Sequence, residues 1–199
     1  MGQLDKLRDL LAENLKFLNK DSVVLVKAPV AKHIWVSVAT LDALSNVDNI
    51  PGVYISLGKP HMNVRRAMEF NGYDTSRITF VDTIGRLGGA ETKGKRVIFL
   101  DGPFQMDLLM NTISRGFVKD AETNNIPLMS NNYFLIDNMD EMLIYNTPST
   151  VSEFLVNFIS LIKKNQKMGL ILFHNEENPI YDAIKSDVDH LFYVKDEWF

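Results

Sequence analysis

The chain has 199 residues, of which 46% are hydrophobic and 23% charged, with a net charge of −4 and no cysteine. This length suits one domain with a real core, and the charge gives no electrostatic reason to expect nucleic acid or an anionic membrane as a partner. Absence of cysteine excludes disulfides, thiolate catalysis and cysteine-ligated zinc, and fits a reducing compartment. Apolar runs fall short of the roughly 20 residues that span a bilayer, and charges interrupt the N-terminus. Neither a membrane span nor a signal peptide is expected, and the expected location is the cytoplasm.

Residues 3–19 place Leu4, Leu7, Leu11, Leu15 and Leu18 on one stripe, with Leu10 and Phe17 beside it, which predicts an amphipathic helix. It either covers the body formed by residues 22–199 or makes a subunit contact, and covering its own core is the simpler expectation. Within 22–199, read as a single domain, Val23 to Lys27 is a short β-branched strand ended by Pro29, and a helix follows from about His33 to Leu44. Val53 to Leu57 predicts a second strand and Asn63 to Asn71 a helix with Gly72 at its C-terminus. Ile78 to Asp82 predicts a third strand. Gly85 to Lys95 carries four glycines and reads as a loop, before a strand at Val97 to Leu100. Met106, Leu109, Met110, Ile113 and Phe117 have helical spacing, and such methionine stripes belong to cores far more often than to cofactor sites.

After a loop-like stretch from Gly116 to Asn132, the run Tyr133-Phe134-Leu135-Ile136 ends at Asp137. A polar turn is expected next. Pro148 then breaks any earlier helix, and Thr150 with Glu153 has capping-box spacing for a helix that buries Val151, Phe154, Leu155, Phe158, Ile159 and Ile162. Leu170 to Phe173 is a strand, Asn178-Pro179 supplies a cap and first residue for a helix, and His190 to Val194 closes the chain as a strand. Seven apolar runs mostly separated by helices predict a three-layer α/β/α fold around a twisted, mostly parallel sheet of about seven strands.

Two stretches resemble the KaiC/RadA-type RecA-fold ATPases. One is Val53 to Leu57 with Gly72-Tyr73-Asp74 and Ile78 to Asp82. The other is Phe134-Leu135-Ile136-Asp137-Asn138 with Leu143-Ile144-Tyr145-Asn146 and Thr150 to Leu155. Archaeal KaiC-like proteins often show such a strand, a similar Tyr-Asn turn and a helix with a Phe-Leu pair. The resemblance covers roughly residues 22–195, lies mostly in pattern, and implies a P-loop NTPase fold.

Position by position, the family's chemistry is largely missing. Its phosphate loop, G-x-x-x-x-G-K-S/T, corresponds here to Ala28-Pro29-Val30-Ala31-Lys32-His33-Ile34-Trp35, which has no glycine. Pro29 has no N–H to give, and Val30 resists the positive φ that anion-wrapping loops use. Ile34 falls where the lysine belongs and Trp35 where the magnesium-binding hydroxyl belongs. Lys32 is two residues out of register. After the second strand the family carries adjacent acids that activate water, whereas this chain has Gly58-Lys59-Pro60-His61, and a charged lysine cannot accept that proton. Only the Walker B-like Asp137 remains.

The resemblance therefore implies a degenerate, non-hydrolysing RecA/KaiC-like domain that acts as a regulatory or protein-interaction module, with a protein partner or self-association and no cofactor. The alternative is an ATP-binding protein or slow ATPase, in which Lys32 and His33 meet the phosphates and Asp137 holds Mg²⁺. Asp82, Asp101 and Asp137 each follow an apolar run and could jointly hold Mg²⁺, although capping the next turn is the simpler expectation for each. Asp140 and Glu141 are expected to face solvent, and Lys32-His33 to form a solvated pair beside a buried Trp35. His174 to Glu177 is the region that often senses nucleotide in the family, and here reads as the approach to a helix. Histidines 33, 61, 174 and 190 lack the i,i+4 pairing of a zinc site. No G-x-S-x-G or G-x-G-x-x-G motif supports a serine hydrolase or a dinucleotide fold. An enzyme of unrelated chemistry on a doubly wound sheet is the third class, since fold does not fix function. Short basic clusters at 93–96 and 163–167 read as solvated surface.

Overall fold

The computed structural model describes residues 2–89, 96–117, 128–195 and 198. Its strands are β1 (Val23–Lys27), β2 (Gly52–Ser56), β3 (Ile78–Asp82), β4 (Val97–Phe99), β5 (Tyr133–Asp137), β6 (Met168–Phe173) and β7 (His190–Tyr193). Every paired neighbour is parallel, in the order β4-β3-β2-β5-β6-β1-β7. β2, β3, β5 and β6 are buried along their whole length. Parallel strands covered on both faces require this, and it is why they appear in the sequence as continuous apolar runs.

Alternate residues of each strand feed two separate cores. One core packs Tyr54, Phe80 and Leu135 against α1 (Gln3–Lys16), α2 (His33–Asp42) and α3 (His61–Phe70). The other packs Phe134, Ile136 and Phe173 against α4 (Met106–Arg115), α5 (Met139–Tyr145), α6 (Pro148–Lys164) and α7 (Pro179–Ile184). The result is the three-layer α/β/α architecture of Rossmann/RecA-like folds. The helices after β1 and β2 cover one face, and those after β4, β5 and β6 cover the other. The face therefore changes between β2 and β5 and between β6 and β1, and open α/β sheets leave a crevice at the carboxyl ends of strands at such points. Among the described residues, no helix is long and apolar enough to cross a membrane.

α1 packs on its own body, with Leu7, Leu11 and Leu15 buried alongside Leu41 and Leu44. It ends at Lys16, earlier than its leucine stripe suggests, and leaves Phe17 86% exposed. α6 buries the six apolar residues expected of it, each contributing about 1.5–3 kcal/mol when fully removed from water. Its start differs from expectation. Thr147 is the cap, its hydroxyl accepting the Thr150 N–H at 3.3 Å, and Pro148 is the first helical residue rather than a breaker. Proline fits there because its missing N–H would have no partner in the first turn. The expected polar turn after Asp137 is largely α5, capped by the Asn138 side chain accepting the Glu141 N–H at 3.1 Å and anchored by buried Met139 and Met142. α2 continues through a π-helical turn, Ala43–Val47. The expected loops at 85–95 and 116–132 lie partly outside the described residues, and residues 85–89 form turns.

Gly52 is the tightest point of the sheet. Opposite it in register is Tyr133, whose ring atoms would lie 2.0 Å from a Cβ added at 52. Burial pushes the Tyr133 hydroxyl above its usual range, so it stays protonated and bonds Ser45 Oγ at 2.6 Å. Gly52→Ala should destabilise the protein by about 1–3 kcal/mol in urea unfolding. Combination with Tyr133→Leu should cost less than the sum of the two single changes. Strict additivity would remove the ring contact as the cause.

Candidate functional site

The corner after β1 is a closed turn. The Ala28 N–H donates to Phe173 C=O at 2.9 Å, Pro29 is extended, and Val30–Lys32 forms a single 3-10 turn in which Lys32 N–H donates to Pro29 C=O at 2.9 Å. His33 then starts α2, and its ring Nδ1 lies 3.0 Å from Val30 C=O. A carbonyl only accepts, so this contact places the proton on Nδ1 and leaves Nε2 as an acceptor. Val30 is 69% exposed and Trp35 is 38% exposed. The expected burial of Trp35 is therefore corrected: α2 turns that side chain outward, while Val36, Ser37 and Val38 go into the core.

His33 and Asp137 are joined through Lys59. Asp137 is fully buried at the end of β5. Its Oδ2 accepts the Ser37 hydroxyl at 2.7 Å and the Tyr54 hydroxyl at 2.5 Å, and its Oδ1 accepts the Lys59 ammonium at 3.2 Å. Lys59 Nζ also lies 2.6 Å from His33 Nε2, where the ammonium donates to the ring nitrogen. The Ser56 hydroxyl donates to Lys59 C=O and tightens the loop that carries the lysine. Burial first, and then the adjacent Asp137 carboxylate, push the Tyr54 hydroxyl well above its usual range, so Tyr54 remains a donor. Asp137 thus meets two hydroxyls and an internal cation. Lys32, the other residue singled out for phosphate contact, sits half-buried at the end of the 3-10 turn.

A second layer supports this one from β6. The His174 ring contacts His33 edge-on, with centroids 5.2 Å apart. Its Nδ1 lies 3.0 Å from Ala28 C=O and its Nε2 is 3.1 Å from Asn138 Nδ2, which fixes an Nδ1–H tautomer between an acceptor and a donor. Asp140 does not face solvent as expected. Its Oδ2 accepts the His174 N–H at 2.6 Å and its Oδ1 accepts the Asn178 amide at 2.8 Å, tying α5 to the end of β6 and the cap of α7. Glu141 lies against Gly58, where an added Cβ would come within 2.4 Å of its carboxyl carbon.

The three strand-end aspartates do not form one cation site. Ser56 stands in register with both Asp82 and Asp137, so the Cα atoms of the two aspartates are two strand spacings apart, roughly 9–10 Å. Asp82 caps the turn that follows β3 and holds the start of the preceding α3. Its Oδ2 accepts His61 N–H at 2.9 Å and His61 Nδ1–H at 2.6 Å, while its Oδ1 accepts the N–H groups of Ile84 and Gly85. Asp101 is exposed and pairs with Arg86. Among the described residues, no group of three or more acidic, histidine or cysteine side chains is placed to hold a metal.

Lys59, Ser37 and Tyr54 are the residues that sequence reasoning missed as partners of Asp137. Their signal was present in weak form: a tyrosine inside an apolar strand, a serine four residues after His33, and a lysine just past the end of β2. No protein-family model and no curated protein matches this chain.

Two outcomes follow from the geometry. Lys59→Met leaves a buried carboxylate without its cation and should cost about 3–5 kcal/mol in urea unfolding; a loss under about 1 kcal/mol would show the pair to be a solvated surface contact. For Asp82, burial alone would raise the carboxyl, but the His61 side chain and the three backbone N–H donors outweigh it and hold the group below its usual range. Its contribution is therefore complete above the unfolded value of about 4 and is lost as pH falls through the lower folded value. Asp82→Asn should lower stability at neutral pH by about 1–3 kcal/mol and flatten the stability decline below about pH 4. An unchanged acid limb would contradict the assignment.

Proposed function

We propose that this chain is a RecA/KaiC-like domain that does not turn over nucleotide and serves as a regulatory or protein-interaction module. The reading rests chiefly on the Lys59 ammonium, which sits between Asp137 and His33 and occupies the strand-end carboxylate from within. The 3-10 corner supports it, because Pro29 lacks an N–H and the Lys32 N–H is already bonded. An ATP site using Lys32, His33 and Asp137 would have to break the Lys59 contacts and reopen that corner before a phosphate could enter. Val30 and Trp35 present apolar surface beside the closed corner, and partially exposed aromatics of this kind favour protein contacts.

Calorimetry with millimolar Mg-ATP should give no binding heat, and the melting temperature should not move, since only a ligand selective for the native state raises it. Saturable binding, a raised melting temperature, or turnover abolished by Asp137→Asn would overturn the proposal.

A further inference from the structure

Two imidazoles clamp the corner after β1, and each does so in its neutral form. The His33 ring holds Val30 C=O through Nδ1 at 3.0 Å, and the His174 ring holds Ala28 C=O through its own Nδ1 at 3.0 Å. With both protons on Nδ1, each Nε2 accepts: at His33 from the Lys59 ammonium at 2.6 Å, and at His174 from the Asn138 amide at 3.1 Å. A carbonyl cannot donate and an ammonium cannot accept, so these bonds fit the neutral ring alone. The Asn138 amide is fixed in turn, because its oxygen accepts the Glu141 N–H at the cap of α5. The two rings are half-buried and meet edge-on, with centroids 5.2 Å apart.

The charged groups around the clamp do not favour a cationic ring. Lys59, from the loop after β2, is the one that bonds His33, while Asp137 at the end of β5 bonds Lys59 and not the ring. Lys32 precedes His33 at the end of the 3-10 turn. From α5, Asp140 accepts the backbone N–H of His174 rather than its ring, and Glu141 lies against Gly58. At the end of β1, Lys27 is paired with Glu176. Among the described residues no carboxylate bonds either imidazole.

We infer that this corner is a proton-operated latch, closed while His33 and His174 are neutral and released when they take up protons in mildly acidic solution. Histidine is the side chain whose charge changes between about pH 5 and pH 8. A proton gained at His33 Nε2 turns an acceptor into a donor that faces an ammonium, so two cations stand in contact. Lys59 is the better anchored of the two, through Asp137 and through the Ser56 hydroxyl on its carbonyl. The His33 ring therefore gives way, and Val30 C=O loses its holder. A proton at His174 Nε2 would face the Asn138 amide nitrogen, and turning that amide over would surrender the cap of α5. Two cationic rings at this separation also repel each other, which links the two releases. The inference goes beyond the reading as a non-hydrolysing module and needs only the closed corner, so nucleotide plays no part in its test.

The test is a heteronuclear NMR titration of the whole chain from pH 8 to pH 5, following the histidine ring nitrogens and the backbone amides without any ligand. At pH 8 both rings should show a protonated Nδ1 and an accepting Nε2. As the rings gain protons, the amides of Ala31 and Lys32 should shift in step with them toward their unstructured positions, while the β5 amides stay fixed. His33→Gln offers Lys59 an acceptor that takes no proton in this range. It should keep the pH 8 spectrum and lose the part of the corner's response that follows His33. His33→Gln with His174→Gln should abolish the response, whereas His190→Gln, at an exposed position at the other end of the sheet, should leave it unchanged. Corner amides that stay fixed while the rings protonate, a response that survives in the double variant, or a protonated Nε2 on either ring at pH 8 would each overturn the inference.

Discussion

The contact between Lys59 and Asp137 is the constraint around which the upper edge of this sheet is arranged. A carboxylate buried at the end of a central strand needs either a cation or a set of donors, because an unpaired buried charge is far too costly to keep. Here both are supplied from the chain itself: the ammonium from the loop after β2, one hydroxyl from β2 and one from α2. Lys59 also gives His33 a donor for its free ring nitrogen, beside the closed corner after β1. His174 and Asn138 then have a fixed wall to pack against. Each of these polar groups has its partner within the chain.

That mutual satisfaction bears on function. Sites that handle phosphate present open backbone N–H groups and a carboxylate free to hold a metal. At this edge the Asp137 carboxylate accepts two hydroxyls and the Lys59 ammonium from within the chain. The structural core of an α/β/α domain is intact, while the crevice at the switch of helix faces is occupied by side chains. Val30 and Trp35 are exposed beside it.

The fold was legible in the sequence wherever one residue type decides the local structure. Ile78 to Asp82 is a strand with the expected bounds, Gly72 adopts φ of +77° after α3, and Asn178-Pro179 caps and opens α7 as its spacing implies. α5 was hidden because its cap, Asn138, directly follows a strand, so the apolar run and the helix share no separating turn. The beginning of α6 was misplaced because Pro148 can either break a helix or begin one, and only the position of Thr147 decides between them. At the site, the lack of glycine in 28–35 and of acids in 58–61 could be read directly. The partner of Asp137 could not, because Lys59 meets Asp137 only through the strand order that sets β2 beside β5 with Ser56 opposite Asp137. Pairing between strands 81 residues apart is a property of topology, and single-sequence periodicity carries no information about it.

The most direct test of the internal cation is a crystal grown with millimolar Mg-ATP. The account predicts an unchanged 3-10 corner from Ala28 to His33, Lys59 Nζ still between Asp137 and His33, and no triphosphate above them. A triphosphate seated over an opened corner, with Lys59 swung away and magnesium on Asp137, would contradict it.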